Sequence, residues 1–316
     1  MTTSGSSDFS LTRNQVIARA GRLIGAIKAG ETMGSGEITD FAEALNAMVK
    51  AWQAKSNMKV WTVTEATLFP QVEQSQYALS LSSTDHATQS YAATDLTADA
   101  VSGATSISVS AIAGMASGDH IGVVVNDGSL YWTTVNGAPS GTTVTLTAGL
   151  SEAANAGAAV FTYTTKIVRP LKIVDVRRSN ISSAIETPLS PPLARLDYQH
   201  LPNKSQTGTI NQCFYDPQLA TGYLYLWQPP SAVTDLVKFT WHRPLMDFDA
   251  AGDTPDMPQE WYQALAYNLA VVMAPEYDIP GDKLGMLAQM AMTFLDDVAG
   301  FDREAESIAF GVDMNG

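Results

Sequence analysis

Asp247, Asp249, Asp253 and Asp256 crowd oxygen ligands of the kind that hold a hard cation into one short stretch. The stretch lacks the glycine and glutamate offsets of a helix-loop-helix calcium site. It reads instead as a solvated acidic loop in front of a helix, where acids complement the helix dipole. His86, His120, His200 and His242 are scattered without the His-Glu-x-x-His spacing of a zinc protease, and read as structural or surface histidines. Cys213 is the one cysteine, so an internal disulfide and a thiolate-rich zinc site are excluded within one chain. Beside Phe214 and Tyr215 it reads as a small semi-buried hydrophobe rather than a nucleophile. Asp296-Asp297 and the Glu304, Glu306 pair are adjacent or next-but-one on a helical pattern, where side chains do not face each other. No glycine-rich phosphate loop and no Gly-x-Ser-x-Gly elbow occurs. No catalytic residue, cofactor or metal is therefore expected, and the chain reads as a non-enzyme.

Composition narrows the function further. The 316 residues carry a net charge of −14, with 45% hydrophobic and 16% charged residues. That balance argues for a folded chain and against sequence-specific binding of nucleic acid, which needs basic surface. The N-terminal ten residues lack a basic start and an apolar run, so no secretory signal is read there, and the protein is expected to work where it is made. The longest nearly apolar stretch, 264–274, falls short of the ~20 residues of a membrane helix, and no membrane role is expected. Charge is unevenly spread. No Lys or Arg occurs from 60 to 165, whereas 244–316 carries fourteen acids against Lys283 and Arg303, and 166–243 has nine bases against five acids. Opposite ends of one subunit could thus attract a neighbouring copy.

The elements that position these residues follow from periodicity. Val16, Ile17, Ala20, Leu23, Ile24 and Ile27 predict an amphipathic helix, with Ser10 or Thr12 as N-cap and Gly30 near its end. A second helix is predicted from about Thr39, with Phe41, Leu45, Met48, Val49 and Trp52 on one face, so that the two form a hairpin. From 86 to 164 the Ala-, Ser-, Thr- and Gly-rich text predicts short strands at 106–110, 121–125, 130–135, 142–147 and 159–163, with a hairpin turn at Asn126-Asp127-Gly128. The runs 222–227 and 236–241 look like an antiparallel pair punctuated by Pro229-Pro230. The aromatic residues Tyr223, Tyr225 and Trp227, like Trp261-Tyr262, read as core rather than as a ligand platform. Pro258 is placed to open a third helix carrying Trp261, Leu265, Leu269, Val272 and Met273 inward. A fourth follows from about Asp282 with Leu284, Leu287, Ala291, Phe294, Leu295 and Val298 inward. Beyond it Ile308, Phe310, Val312 and Met314 alternate with a period of two, as a strand returning to its own sheet or one added to another subunit.

The run Lys50-Ala51-Trp52-Gln53-Ala54-Lys55, the Trp241-His242-Arg243-Pro244-Leu245 motif, Pro258-Gln259-Glu260-Trp261-Tyr262 with its continuation Tyr267-Asn268-Leu269-Ala270, and Ala274-Pro275-Glu276-Tyr277 together resemble the head-to-tail adaptor (connector, packaged-DNA stabilisation) proteins of short-tailed bacteriophages. The resemblance covers about 10–82 and 166–300. It implies an α+β fold: a helical adaptor core of an N-terminal helix hairpin and a C-terminal helix pair, a β-rich middle and an inserted small all-β domain. The core would be discontinuous, 1–84 and 166–316, with the insertion at 85–165 and an extended tail at 301–316. Trp52, Pro258, Trp261, Tyr267, Asn268, Leu269 and Pro275 would be its packing residues. The family works as a ring, commonly of twelve copies, beneath the portal at the head-tail junction of the virion. There it extends the DNA channel, retains packaged DNA without sequence-specific binding and receives a downstream tail protein. The tail residues Glu306, Ile308, Phe310, Val312 and Met314 would reach onto the portal protein. An alternative function is a virion binding module whose β insertion recognises carbohydrate or another tail or fibre protein.

Overall fold

The computed structural model describes residues 5–54, 60–189 and 191–301. In chain order it runs through α1 (Arg13–Ile24), α2 (Ser35–Gln53), β1 (Val63–Leu68), β2 (Gln76–Leu79), β3 (Ala87–Thr88), β4 (Ala92–Asp95), β5 (Ser106–Ser108), β6 (His120–Val124) and β7 (Leu130–Thr134). It continues through β8 (Thr143–Thr145), β9 (Ala159–Tyr163), β10 (Lys172–Asn180), β11 (Glu186–Pro188), α3 (Arg195–His200), β12 (Gln212–Pro217), β13 (Gly222–Trp227), β14 (Asp235–His242), α4 (Tyr262–Met273) and α5 (Gly281–Phe301). Among the described residues there are fourteen strands in four antiparallel sheets against five α-helices, and 27% of those residues are helical. The expectation of an α+β fold organised around a helical core is corrected accordingly: strands far outnumber helices, and the larger share of the chain, 63–244, belongs to a unit built from sheets. Two compact units divide the chain, 1–62 with 245–316 and 63–244.

The first unit is helical. Thr12 caps α1 in a reciprocal box: its hydroxyl accepts from the Gln15 N–H, and the Gln15 side chain accepts from the Thr12 N–H at 2.8 Å. Gly25, at φ 83°, ends the helix in the left-handed conformation that glycine adopts without a Cβ penalty, five residues before the glycine expected to do so. The helix α2 begins at Ser35, earlier than its apolar pattern indicates, because Glu37 reaches back to the Gly34 N–H at 3.0 Å. Rather than forming a simple hairpin, α1 and α2 both lie against α4, and α1 meets α4 more extensively than it meets α2. Pro258 precedes a single 3-10 turn, Gln259–Trp261, from which α4 continues. Val272 of α4, expected inward, is exposed. Helix α5 runs on through Gly300 to Phe301, and packs on α4 through Leu287 and Ala291.

The second unit is built from sheets. A five-stranded sheet, β11-β10-β14-β1-β3, and a three-stranded sheet, β12-β13-β2, enclose Leu68, Tyr77, Leu79, Val176, Cys213, Leu224, Leu226, Phe239 and Trp241. The runs expected to pair with each other, β13 and β14, lie in different sheets. β13 pairs β12 and β2, whereas β14 pairs β1 and β10. Pro229-Pro230 carries the chain from one sheet to the other, since a proline cannot donate to a continuing ladder. Between β3 and β10 sit the short strands of the acidic segment, a four-stranded sheet β4-β9-β6-β7 and the pair β5-β8, around Ile107, Val109, Ile121, Val123, Val144, Leu146 and Val160. The hairpin at Asn126-Asp127-Gly128 forms with Gly128 at φ 83° and Val124 opposite Leu130. Ala87–Thr88, the first strand of the expected insertion, pairs with β1 of the larger sheet.

Candidate functional site

The residues with chemical potential are used structurally. In the acidic loop, Asp253 accepts from the Ala250 N–H at 2.6 Å, Asp256 accepts from the Met246 N–H at 3.1 Å, and Asp247 pairs with Lys50 at 2.6 Å. Two of these carboxylates hold the loop's own backbone and the third ties it to α2, rather than all converging on a point. Among the described residues no group of three or more His, Cys, Asp or Glu stands close enough to hold a metal ion. Cys213 is wholly buried in the sheet core, and burial pushes its thiol up to about 12, far from a thiolate at neutral pH. No helix among the described residues is long and apolar enough to cross a membrane.

Two histidines read as unrelated are neighbours. Antiparallel register sets His120 on β6 opposite Tyr163 on β9, and the Phe69 N–H bonds the His86 carbonyl at 2.9 Å, bringing the chain after β2 to the same place. The His86 ring lies face to face on Trp132 at 3.9 Å, with His120 edge-on at 5.4 Å, and His86 Nδ1 shares a 2.6 Å hydrogen bond with Tyr163 Oη. Opposite Trp132, Gly122 leaves room for the indole, because a Cβ there would meet its ring at 2.9 Å. Burial above all, then the Lys166 ammonium and His120, push the His86 pKa down to about 3. His120 is lowered too, by burial and Lys166, with Asp119 opposing. Lys166, itself lowered by burial with Asp85 opposing, donates to the Ser83 carbonyl at 2.6 Å. Sequence gives no signal for this cluster; only strand register brings together His86, His120 and Tyr163, each more than thirty positions from the next.

A depressed histidine pKa stabilises the folded state above its unfolded value near 6.5, and that contribution is lost as pH falls toward about 3. The melting temperature of the β unit should therefore drop between pH 7 and pH 4, and drop less steeply in His86→Gln. A scanning-fluorimetry series across that range with equal slopes for the two proteins would remove His86 from the account.

Tyr223, Tyr225 and Trp227 are not in the sheet core. Leu224 and Leu226 point inward between them, and the three aromatic residues lie half-buried on the outer face. There Tyr198 of α3 approaches Tyr225 at 5.4 Å, Phe214 stacks on Tyr225 at 5.6 Å, and Trp227 Nε1 donates to the Pro202 carbonyl at 3.1 Å.

The packing residues of the resemblance meet in the helical unit. Trp261 lies 6.0 Å from Trp52 of α2 and 4.9 Å from Trp61, whose Nε1 donates to the Asp256 carbonyl at 3.2 Å. Tyr267 meets Phe294 of α5 edge to face at 4.9 Å. Asn268 Nδ2 donates to the Ala264 carbonyl in its own helix and, at 3.1 Å, to that of Ala291 in α5. Leu269 is fully buried. Pro258 precedes the turn that carries Trp261, and Pro275 sits in the 3-10 turn that ends α4. Glu306, Ile308, Phe310, Val312 and Met314 lie outside the described residues. No protein-family model matches the chain, and no curated protein matches it in sequence.

Proposed function

We propose that the chain is a structural virion protein, a head-to-tail adaptor. It forms an oligomeric ring beneath the portal, extends the DNA channel, retains packaged DNA and offers the tail its attachment platform. The observation that carries this reading is the convergence of Trp52, Trp261, Tyr267 and Asn268, four residues of the resembling runs, in one helical unit; the Trp241 run belongs to the sheet unit. An acidic chain suits the task, because a channel through which DNA slides must avoid the phosphate contacts that would hold it. In this reading 301–316 reaches onto the portal through Glu306, Ile308, Phe310, Val312 and Met314.

Electron microscopy of the full chain mixed with rings of the cognate portal protein tests the proposal. A rotationally symmetric collar is expected with the full chain and none with a chain ending at Ser307. Bare portal rings at saturating protein would overturn the adaptor reading, and a collar from the truncated chain would overturn the role of the tail.

A second reading, a virion module that binds carbohydrate or another tail or fibre protein through the β insertion, draws support from an open cleft of about 330 Å³ lined by Gln89, Tyr91, Thr162, Thr164 and Lys166. Aromatic and hydroxyl groups together are the usual lining of a small polar ligand site. Loss of host adsorption with head completion intact, on replacing Gln89 and Thr164 with alanine, would favour it.

A further inference from the structure

The outward side of α5 is unlike that of an ordinary surface helix. Asp282, Met286, Gln289, Met290, Thr293 and Asp297 recur at helical spacing and are all exposed, with Met286 57% accessible. At 1.5 Å per residue this stripe is about 22 Å long. It holds an apolar, adaptable middle between two acids that form no ion pair among the described residues. The helix's one base, Lys283, turns away, its Nζ 3.8 Å from where a Cβ of Gly25 would stand at the end of α1.

The same unit carries a surface of the opposite character. Helix α1 has no acidic residue, and Arg19 and Arg22, two bases against the single acid Glu260, line a hollow of about 500 Å³ together with the apolar Phe9, Leu11, Ala18 and Tyr262. Arg22 forms no ion pair among the described residues, and Arg19 Nε is buried without a partner although its Nη2 reaches Gln263 at 3.4 Å. The two surfaces flank α4, which meets α1 through Gln263 and α5 through Tyr267 and Asn268.

We infer that the α5 stripe of one copy docks on the Arg19/Arg22 hollow of the next, with Met286 and Met290 entering the apolar floor and Asp297 meeting the arginines. Charge complementarity selects the occupant: an acid-ended apolar ridge and an arginine-rimmed apolar hollow, both on one unit, fit a second copy of this chain. Because the two patches differ, the contact is heterologous and repeats from copy to copy until it closes. The inference rests on the ring reading and names the surfaces that would build the ring.

Cysteine pairing of the full chain decides it, since the buried Cys213 stays silent. An equal mixture of Ala18→Cys and Met290→Cys proteins should form disulfide dimers under mild oxidation, and the double variant should form a ladder of oligomers, free or on portal rings. Neither single variant should cross-link alone. Arg22→Glu should weaken assembly at least about tenfold, and adding Asp297→Arg to the same chain should restore it. A dimer from Met290→Cys alone would mean two-fold α5 pairing and would overturn the inference. So would a collar on the portal without any ladder, which leaves the adaptor reading standing. A ladder without portal binding would uphold the contact and sink the adaptor reading instead.

Discussion

Phe69→Ala is expected to lower the stability of the β unit by about 3–5 kcal/mol, the range for truncating a buried aromatic side chain. Phe69 is 1% exposed and follows β1 directly. It stands edge to face with Tyr91 at 5.3 Å and Trp132 at 5.1 Å, and meets Phe161 at 5.3 Å and Tyr163 at 5.9 Å. Val233 and Leu236 complete its surroundings. Each aromatic pair adds roughly 0.5–1.5 kcal/mol beyond the area it buries. The backbone cannot follow the shortened side chain, because the Phe69 N–H is held by the His86 carbonyl. Neither the core between the two larger sheets nor the core of the short-strand module includes Phe69, so the loss falls on the seam that joins them. Urea denaturation should show an earlier transition for the module than for the remaining sheets, and proteolysis should begin near 89–91 and 164–166. A loss below about 1 kcal/mol with one unchanged transition would mean that the seam is held elsewhere.

That seam also marks where the sequence stops being readable. Helix α1 is legible because Val16, Ile17, Ala20 and Ile24 repeat at helical spacing behind a Thr12-x-x-Gln15 box, both local signals. The turn at Asn126-Asp127-Gly128 is legible for the same reason, since its residue types and its φ requirement lie within three positions. Partnership between strands is not local. β1 pairs with β14, Glu65 opposite Thr240, and nothing in either run names the other. The adjacent runs β13 and β14 look like partners until Pro229-Pro230 is seen to carry the chain between sheets. The weight of sheet in the fold is hidden for a related reason. Strands such as β3 and β11 are two or three residues long and made of Ala, Thr, Glu and Pro, too short for a period of two to register. The helices, with twelve to twenty-one residues each in α1, α2, α4 and α5, announce themselves far more strongly. The His86, His120 and Tyr163 cluster is illegible without register, and the outward stripe of α5 carries no local signal, because polar and methionine residues at helical spacing look like any solvated helix face.

Trp261→Ala should act on the other unit and by a similar amount, about 3–5 kcal/mol. Trp261 is 3% exposed at the junction of the 3-10 turn and α4, between Trp52 and Trp61. Losing it opens a cavity beneath α2 and frees the Trp61 indole, whose hydrogen bond to the Asp256 carbonyl ties the acidic loop to the helices. Ellipticity at 222 nm should then fall at lower denaturant, while near-ultraviolet signals from the β unit keep their midpoint. Trp261→Phe, which fills part of the space, should lose less. The functional consequence separates the two units. If copies meet through α1 and α5, a chain with Trp261→Ala should fail to form a collar on portal rings under conditions that partly unfold the helices. Phe69→Ala, which leaves those helices packed, should still form one. The reverse pattern would place the assembly surface in the sheets and refute the docking of α5 on α1. Because α4 holds both of those helices, the tryptophan at its N-terminus controls the geometry of two surfaces that it does not itself line.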